Sequence, residues 1–246
     1  MKRISKRQFV RRAIIFAAFL LFPLFYNFLS PYLIINGAFE GVVNGSALTF
    51  SVLFLSSLLV GRAWCAWACP AGGLAEACIY YVRDKKTGQK GNWIKWAIWI
   101  PWMGLIIAGF VTAGGIHSVN PIHLVGSVIS AKDLPSYIIY YFVAGTIFVL
   151  SLTAGNRAFC HYACWMAPFM IIGRKLRNLA KYPSLRLVVE PEKCTDCKQC
   201  VRSCPMSLDV NELVARGDME HSECILCGNC VDTCHQGVIR YSFSKG

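Results

Sequence analysis

The feature that most constrains this chain is the cysteine pattern near its C-terminal end. From Cys194 the sequence reads C-T-D-C-K-Q-C-V-R-S-C-P, and from Cys224 it reads C-I-L-C-G-N-C-V-D-T-C-H. Each stretch is C-x2-C-x2-C-x3-C. A short loop of this spacing wraps one iron–sulfur cubane with three thiolates, while the fourth cysteine leaves the loop and ligates the neighbouring cluster. That rule assigns Cys194, Cys197, Cys200 and Cys234 to one [4Fe–4S] cluster, and Cys224, Cys227, Cys230 and Cys204 to a second. Zinc is the competing reading of paired C-x2-C, but a zinc site closes with four ligands and leaves the other cysteines of each stretch surplus. Disulfides are disfavoured, because thiols packed this densely beside a basic, non-exported segment point to a reducing compartment. The tail is expected to carry electrons.

The remainder of the chain is of another kind. Of its 246 residues 55% are hydrophobic and 15% charged, against roughly 25% charged in soluble domains. A membrane-embedded part with a soluble appendage follows. The net charge of +12 invites a nucleic-acid partner, but its distribution argues against one. From residue 191 onward Glu192, Asp196, Asp209, Glu212, Asp218, Glu220, Glu223 and Asp232 outnumber Lys193, Lys198, Arg202, Arg216, Arg240 and Lys245. The basic excess therefore lies between the apolar segments, where it sets topology.

Residues 1–12 hold Lys2, Arg3, Lys6, Arg7, Arg11 and Arg12, and an apolar run follows from Ala13 to Ile35. That run is long enough to cross a bilayer, which takes about 20 residues. It is too long for a signal peptide and no A-x-A-like site follows it. Further apolar runs lie near Ser46–Val60, Trp93–Thr112 and Leu134–Thr153, the third interrupted by Pro101. Arg62, Arg83, Lys85, Lys86, Lys90 and Lys95 separate the second run from the third. Arg157, Arg174, Lys175, Arg177, Lys181 and Arg186 follow the fourth, whereas Lys132 is the one basic residue on the other side. The positive-inside asymmetry then places both termini in the cytoplasm.

The membrane half contains a repeat. Arg62-Ala-Trp-Cys65-Ala-Trp-Ala-Cys69 matches Arg157-Ala-Phe-Cys160-His-Tyr-Ala-Cys164 position for position, each after an even-numbered run. Such self-similarity suggests two two-span units related by an axis along the membrane normal. On a helix, cysteines at i and i+4 share a face, so Cys65, Cys69, Cys160 and Cys164 are candidates for a four-thiolate site. It suits a further Fe–S cluster or, less well, zinc. Redox thiols and plain packing of small buried cysteines are the other readings. Cys78 stands outside the pattern and reads as structural.

Gly61-Arg62-Ala63-Trp64-Cys65-Ala66-Trp67-Ala68-Cys69-Pro70, the second C-x3-C and the two-cluster tail together resemble the NapH-type ferredoxins, the membrane component of a quinol dehydrogenase associated with periplasmic nitrate reductase. The same core looks like part of the NosR regulators and of the CcoG-type proteins that act in copper reduction. The resemblance covers nearly the whole chain and implies quinol oxidation at the membrane with Fe–S electron transfer. Two positions depart from the pattern: Cys164 is followed by Trp165, with Pro168 later, and Cys234 by His235.

Between the third and fourth runs lies an apolar loop with His117 and His123. Histidine there suits quinol contact or, without a C-x-x-C-H motif, non-covalent haem ligation; ordinary interfacial hydrogen bonding is the plain alternative. His161, inside the second motif, either tunes a cluster or faces the interface. Glu40 and Asp133 are weak candidates for proton exit. Trp93, Trp96, Trp99 and Trp102 recur every three residues, and the first two read as a headgroup anchor. Residues 171–187, with Arg174, Lys175, Arg177 and Lys181 among apolar neighbours, read as an interfacial amphipathic helix.

The expected fold class is an α-helical membrane protein, with four transmembrane helices in a two-fold repeat of helix pairs and a C-terminal α+β two-cluster ferredoxin domain. Its segments are a cytoplasmic basic N-terminus (1–12), the transmembrane domain (13–170), an interfacial linker (171–190) and the ferredoxin domain (191–246). The expected function is electron transfer between the quinone pool or a membrane partner and a partner protein, as one arm of a complex in a bacterial or archaeal cytoplasmic membrane. The alternatives are a copper reductase or assembly factor and a redox sensor. No G-x-G-x-x-G fingerprint follows a strand, so no dinucleotide site is indicated.

Overall fold

The structure is a computed structural model that describes residues 5–123, 130 and 134–245. Lys2 and Arg3, together with Lys132 and Asp133 of the outer loop, lie outside the described residues.

Helix α1 (Lys6–Leu20) begins at Ser5, whose hydroxyl accepts from the Gln8 amide at 3.2 Å. The apolar run expected as one span is broken. After Leu20 the chain bends by 57° into α2 (Phe22–Phe25) and a 3-10 turn (Tyr26–Leu29), and α3 (Pro31–Phe39) starts afresh. Pro23 and Pro31 explain the breaks: proline has no amide hydrogen and fits a helix only in its first turn. Nor are residues 6–12 a free tail. They form the first turns of α1, and Arg7 and Gln8 both bond Asp232, near the other end of the chain.

Strand β1 (Val42–Asn44) leads into α4 (Gly45–Val60), capped by Asn44, whose side chain accepts from the Ala47 amide at 3.0 Å. Then come α5 (Ala63–Trp67), α6 (Pro70–Tyr81), α7 (Ile94–Thr112) and β2 (Ser118–Asn120), which pairs in parallel with β1. Helices α8 (Leu134–Thr153), α9 (Ala158–Tyr162) and α10 (Ala167–Ala180) complete the apolar half. Among the described residues, α7 and α8 are long and apolar enough to cross a membrane, and the bent α1–α2 pair makes a third candidate. Helix α4 has 16 residues. At 1.5 Å per residue it reaches about 24 Å, less than the roughly 30 Å hydrocarbon core.

Helix packing crosses over between the two motif-bearing segments. Helix α10 lies on α4, and α6 lies on α8. The α4–α10 approach is close because Gly173 has no side chain: a Cβ there would collide with Ser57 Oγ.

In the C-terminal part β3 (Ser184–Val189) pairs antiparallel with β4 (Ile239–Ser244), and between them lie α11 (Gln199–Ser203), α12 (Val210–Ala215) and α13 (Asn229–Thr233). The interfacial helix expected over 171–187 ends at Ala180, and β3 follows within that stretch. Leu185, Arg186 and Leu187 alternate with strand period, which the helical reading overran. Arg174 and Arg177 do not face lipid or water; both are buried against the ferredoxin unit.

Candidate iron–sulfur sites

Two cavities open among the tail cysteines. One is lined by Cys194, Cys197, Cys200 and Cys234 with Val214, Val238 and Ile239. The other is lined by Cys204, Cys224, Cys227 and Cys230 among Leu187, Met206 and Leu213. Cys234 thus lies with the first loop and Cys204 with the second. The second cavity is otherwise apolar and the first also carries Lys198, Asn211 and His235; in each, four thiols are a donor set that fits a [4Fe–4S] cluster. The two loops also fold alike. Positive φ occurs at Asp196 and Lys198 in the first and at the equivalent Leu226 and Gly228 in the second. For non-glycine residues that conformation costs of order 1 kcal/mol each, and the surrounding structure has to enforce it. Burial pushes the Cys204 thiol up to about 12 and Cys227 to about 11. Without a metal these groups are protonated; metal binding is what releases the protons.

The two C-x3-C segments form matching turns and not the continuous helical faces expected. Each first cysteine sits in a five-residue helix, α5 or α9, and each second cysteine lies beyond it. Cys65 N donates to Arg62 O at 3.0 Å and Cys160 N to Arg157 O at 2.9 Å. Cys69 N donates to Trp64 O at 3.0 Å and Cys164 N to Phe159 O at 2.9 Å. The turns differ after the last cysteine. Helix α6 starts with Pro70 directly after Cys69, whereas α10 starts at Ala167, and Trp165 fills the interval by donating to Leu29 O at 3.1 Å. Cys65, Cys69, Cys160 and Cys164 are all buried, and each lies within electrostatic range of others of the set. Burial pushes Cys164 up to about 12, with Cys160 and Cys65 adding to it. Among the described residues no three His, Cys, Asp or Glu side chains close around a single metal ion. Cys78 is buried against α8 beside Ser151.

Two carboxylates organise the charge around these turns, and sequence reasoning missed both roles. Glu76 is gripped by Arg11 through two bonds, at 2.9 and 2.8 Å, and by Arg157. Glu223 is held by Arg62 at 2.8 Å and by Lys95. Burial alone would raise the Glu223 carboxyl, but Arg62 and Lys95 outweigh it and bring it to about 2. A signal was available for Glu76, the only acid between Glu40 and Asp84 in a mostly apolar stretch.

The loop bearing Cys224 and Cys227 lies directly on the C-x3-C turns. Trp67 Nε1 donates to Leu226 O at 3.4 Å, Gln8 to Cys227 O at 2.9 Å and Arg174 to Cys224 O at 2.7 Å. His161 Nδ1 lies 2.8 Å from Asn92 Oδ1 and Nε2 lies 3.1 Å from Met206 O, and burial lowers its pKa to about 4. The first loop is on the outside of this stack, with Cys194 and Cys197 exposed.

The outer histidines are placed otherwise. His117 Nε2 meets Ala113 O at 2.5 Å, and His123 pairs with Glu40 at 2.7 Å. They lie by β1 and β2, at the far end of α4 from Cys65. Trp93 is exposed, Trp96 stacks edge-on to Trp99, and Trp99 and Trp102 pack on Phe169. An apolar cavity lies nearer the cysteines, lined by Tyr26, Pro70, Ala71, Tyr140, Phe159 and Trp165 among others.

The cysteine sets and the fold around them define an iron–sulfur protein of the 4Fe–4S ferredoxin type with an apolar helical part. A family model described as a 4Fe-4S dicluster domain matches residues 193–239. A second, described as a 4Fe-4S binding domain, matches residues 45–88 and again residues 138–182. An uncharacterized protein of Methanocaldococcus jannaschii is 23% identical, over 100% of this chain and 88% of its own. The putative electron transport protein YccM of Escherichia coli is 25% identical over 82% of this chain and 57% of its own. The ferredoxin-type protein NapH of Haemophilus influenzae is 23% identical over 78% of this chain and 66% of its own. No solved structure matches. The chain is similar to ferredoxin-type iron–sulfur proteins of the NapH kind, and both of its 4Fe-4S family matches fall on the cysteine-bearing segments.

Proposed function

We propose that this chain is a membrane-bound electron-transfer subunit working between the quinone pool, or another membrane redox partner, and a partner protein. Cys194, Cys197, Cys200 and Cys234 hold one [4Fe–4S] cluster; Cys224, Cys227, Cys230 and Cys204 hold the second. Cys65, Cys69, Cys160 and Cys164 hold a third at the membrane face. Bound clusters supply one-electron transfer at potentials set by burial and hydrogen bonding.

The observation that carries this reading is the docking of the Cys224 loop on the C-x3-C turns, through Arg62–Glu223, Trp67–Leu226 and Arg174–Cys224. It supports an order of the three cysteine sets: the buried Cys65 set, the mostly buried Cys224 set, then the Cys194 set, whose Cys194 and Cys197 thiols are exposed where a partner has access. The crossed packing of α4 with α10 and α6 with α8, and the double match of one family model, support a two-fold repeat. The Arg7–Asp232 pair keeps the two termini on one side, and the basic residues around the motifs favour the cytoplasmic side.

For a quinone, the apolar cavity beside Pro70, Ala71, Phe159 and Trp165 suits an aromatic lipophile better than His117 and His123 do. The histidines are a helix length of about 24 Å away from the cysteine end of α4. Anaerobic spectroscopy of the chain in lipid discs tests the function. Quinol-dependent bleaching of the tail clusters is expected. Oxidation of pre-reduced clusters by Cu(II), with no response to quinol, would overturn it in favour of a metal reductase.

A further inference from the structure

The two arginines that open the C-x3-C motifs have more donors than partners. Arg62 and Arg157 are fully buried. Arg62 uses Nη1 on Ser222 O and Glu223, and Arg157 uses Nη1 on Cys65 O at 2.8 Å and Nη2 on Glu76. Arg62 Nε and Nη2 and Arg157 Nε find no acceptor among the described residues. A buried guanidinium N–H without an acceptor is costly, so these orphans call for an explanation.

Three observations point the same way. Each arginine occupies the same place, three residues before the first cysteine of its motif, and acts electrostatically on cysteines of both turns: Arg62 on Cys65 and Cys164, Arg157 on Cys160 and Cys69. Space is kept for one of them, since a Cβ on Gly72 would stand 3.0 Å from Arg157 Nη1 and 2.8 Å from Cys65 O. The charges also fail to cancel. Glu223 is shared by Arg62 and Lys95, and Glu76 by Arg11 and Arg157, so each carboxylate faces two cations. A positive excess is left on both sides of the four cysteines. Four thiolates outweigh the positive charge of an iron–sulfide core, so the group they hold is a buried anion, stable only when neutralised and hydrogen-bonded.

We infer that Arg62 and Arg157 are the paired counter-cations of the membrane-face centre, donating their free N–H groups to its sulfur atoms and holding its reduction potential up. The inference rests on the reading that Cys65, Cys69, Cys160 and Cys164 bind a cluster. Both residues are positioning and tuning groups and do not ligate the metal.

Redox titration followed by electron paramagnetic resonance tests it on the full chain, reconstituted anaerobically. The membrane-face signal is the one missing from a variant with Cys65, Cys69, Cys160 and Cys164 all changed to Ser. Arg157 is the residue to change, because Arg62 also touches the Cys224 loop. Arg157→Gln removes the cation without stranding the carboxylate, because Glu76 keeps its two bonds to Arg11. Its membrane-face signal should become at least about tenfold harder to reduce, about 59 mV for a one-electron couple, while the tail signals stay in place as internal controls. Arg157→Lys keeps the charge and the ion pair but loses the fork of donors, and should shift the signal in the same direction by less. It decides the matter if the Gln variant does not accumulate. A membrane-face midpoint unmoved by these changes overturns the inference. A native chain with no signal beyond those of the all-serine variant overturns the cluster reading itself, and the inference with it.

Discussion

Arg62 and Glu223 form a buried ion pair at 2.8 Å, joining the first residue of the membrane-face motif to the residue just before Cys224. They are far apart in sequence, so the pair clamps the ferredoxin unit onto the apolar half at the level of the cysteines. Lys95, from the start of α7, grips the same carboxylate and makes the clamp three-sided.

Changing Glu223 to Gln should release that clamp. Arg62 and Lys95 would be left as uncompensated buried charges, a situation that costs roughly 3–5 kcal/mol. Hydrogen exchange is the measurement, with faster exchange expected across residues 222–227 and 63–67. Unchanged protection there would show that docking does not depend on the pair.

A second contact sets the pH response of the interface. Burial alone would raise the Glu220 carboxyl, but its bonds to Arg174 hold it below the ordinary carboxylate value. A depressed carboxylate contributes its stability in full above the unfolded value of about 4.3 and loses it as pH falls through the lower folded value. Protection of α10 should therefore be flat from pH 8 to about pH 5 and fall only in more acid solution. Glu220→Gln should lower protection at neutral pH and flatten the acid limb. A loss of protection between pH 8 and 6 in the native chain would contradict this assignment.

The apolar cavity gives a third prediction. Val143 lines it from α8, a helix that is otherwise mostly exposed on its outer side. Val143→Trp should fill the space, leave the fold and the iron content intact, and weaken binding of a quinone analogue at least about tenfold, or about 1.4 kcal/mol. An unchanged dissociation constant would place the quinone elsewhere.

How much of this was legible beforehand depended on the kind of signal. Cysteine spacing is a local code, so the two groups of tail cysteines that line separate cavities and the likeness of the two C-x3-C turns were both legible in it. Hydropathy marked α7 and α8 correctly because nothing in them competes with helix; Pro101 alone does not end α7. It failed over residues 13–35, where Pro23 and Pro31 divide a run of uniform composition. The least legible features were the partners of charged residues. Arg11, Arg62, Arg157 and Arg174 count as topology signals in a sequence, yet each is buried against an acid that only the fold brings near: Glu76, Glu223, Glu76 and Glu220. His117 and His123 drew attention as isolated polar groups in an apolar loop, and the structure gives them the plain partners Ala113 O and Glu40.

A cluster on Cys65, Cys69, Cys160 and Cys164, continuous with those of the tail, would add a third cubane to the chain. Iron and acid-labile sulfide per chain, measured after anaerobic purification, test it most directly. About twelve iron atoms are expected in the native chain and about eight when Cys65, Cys69, Cys160 and Cys164 are changed to Ser. About eight in both would contradict it and leave those four thiols as a redox or packing set.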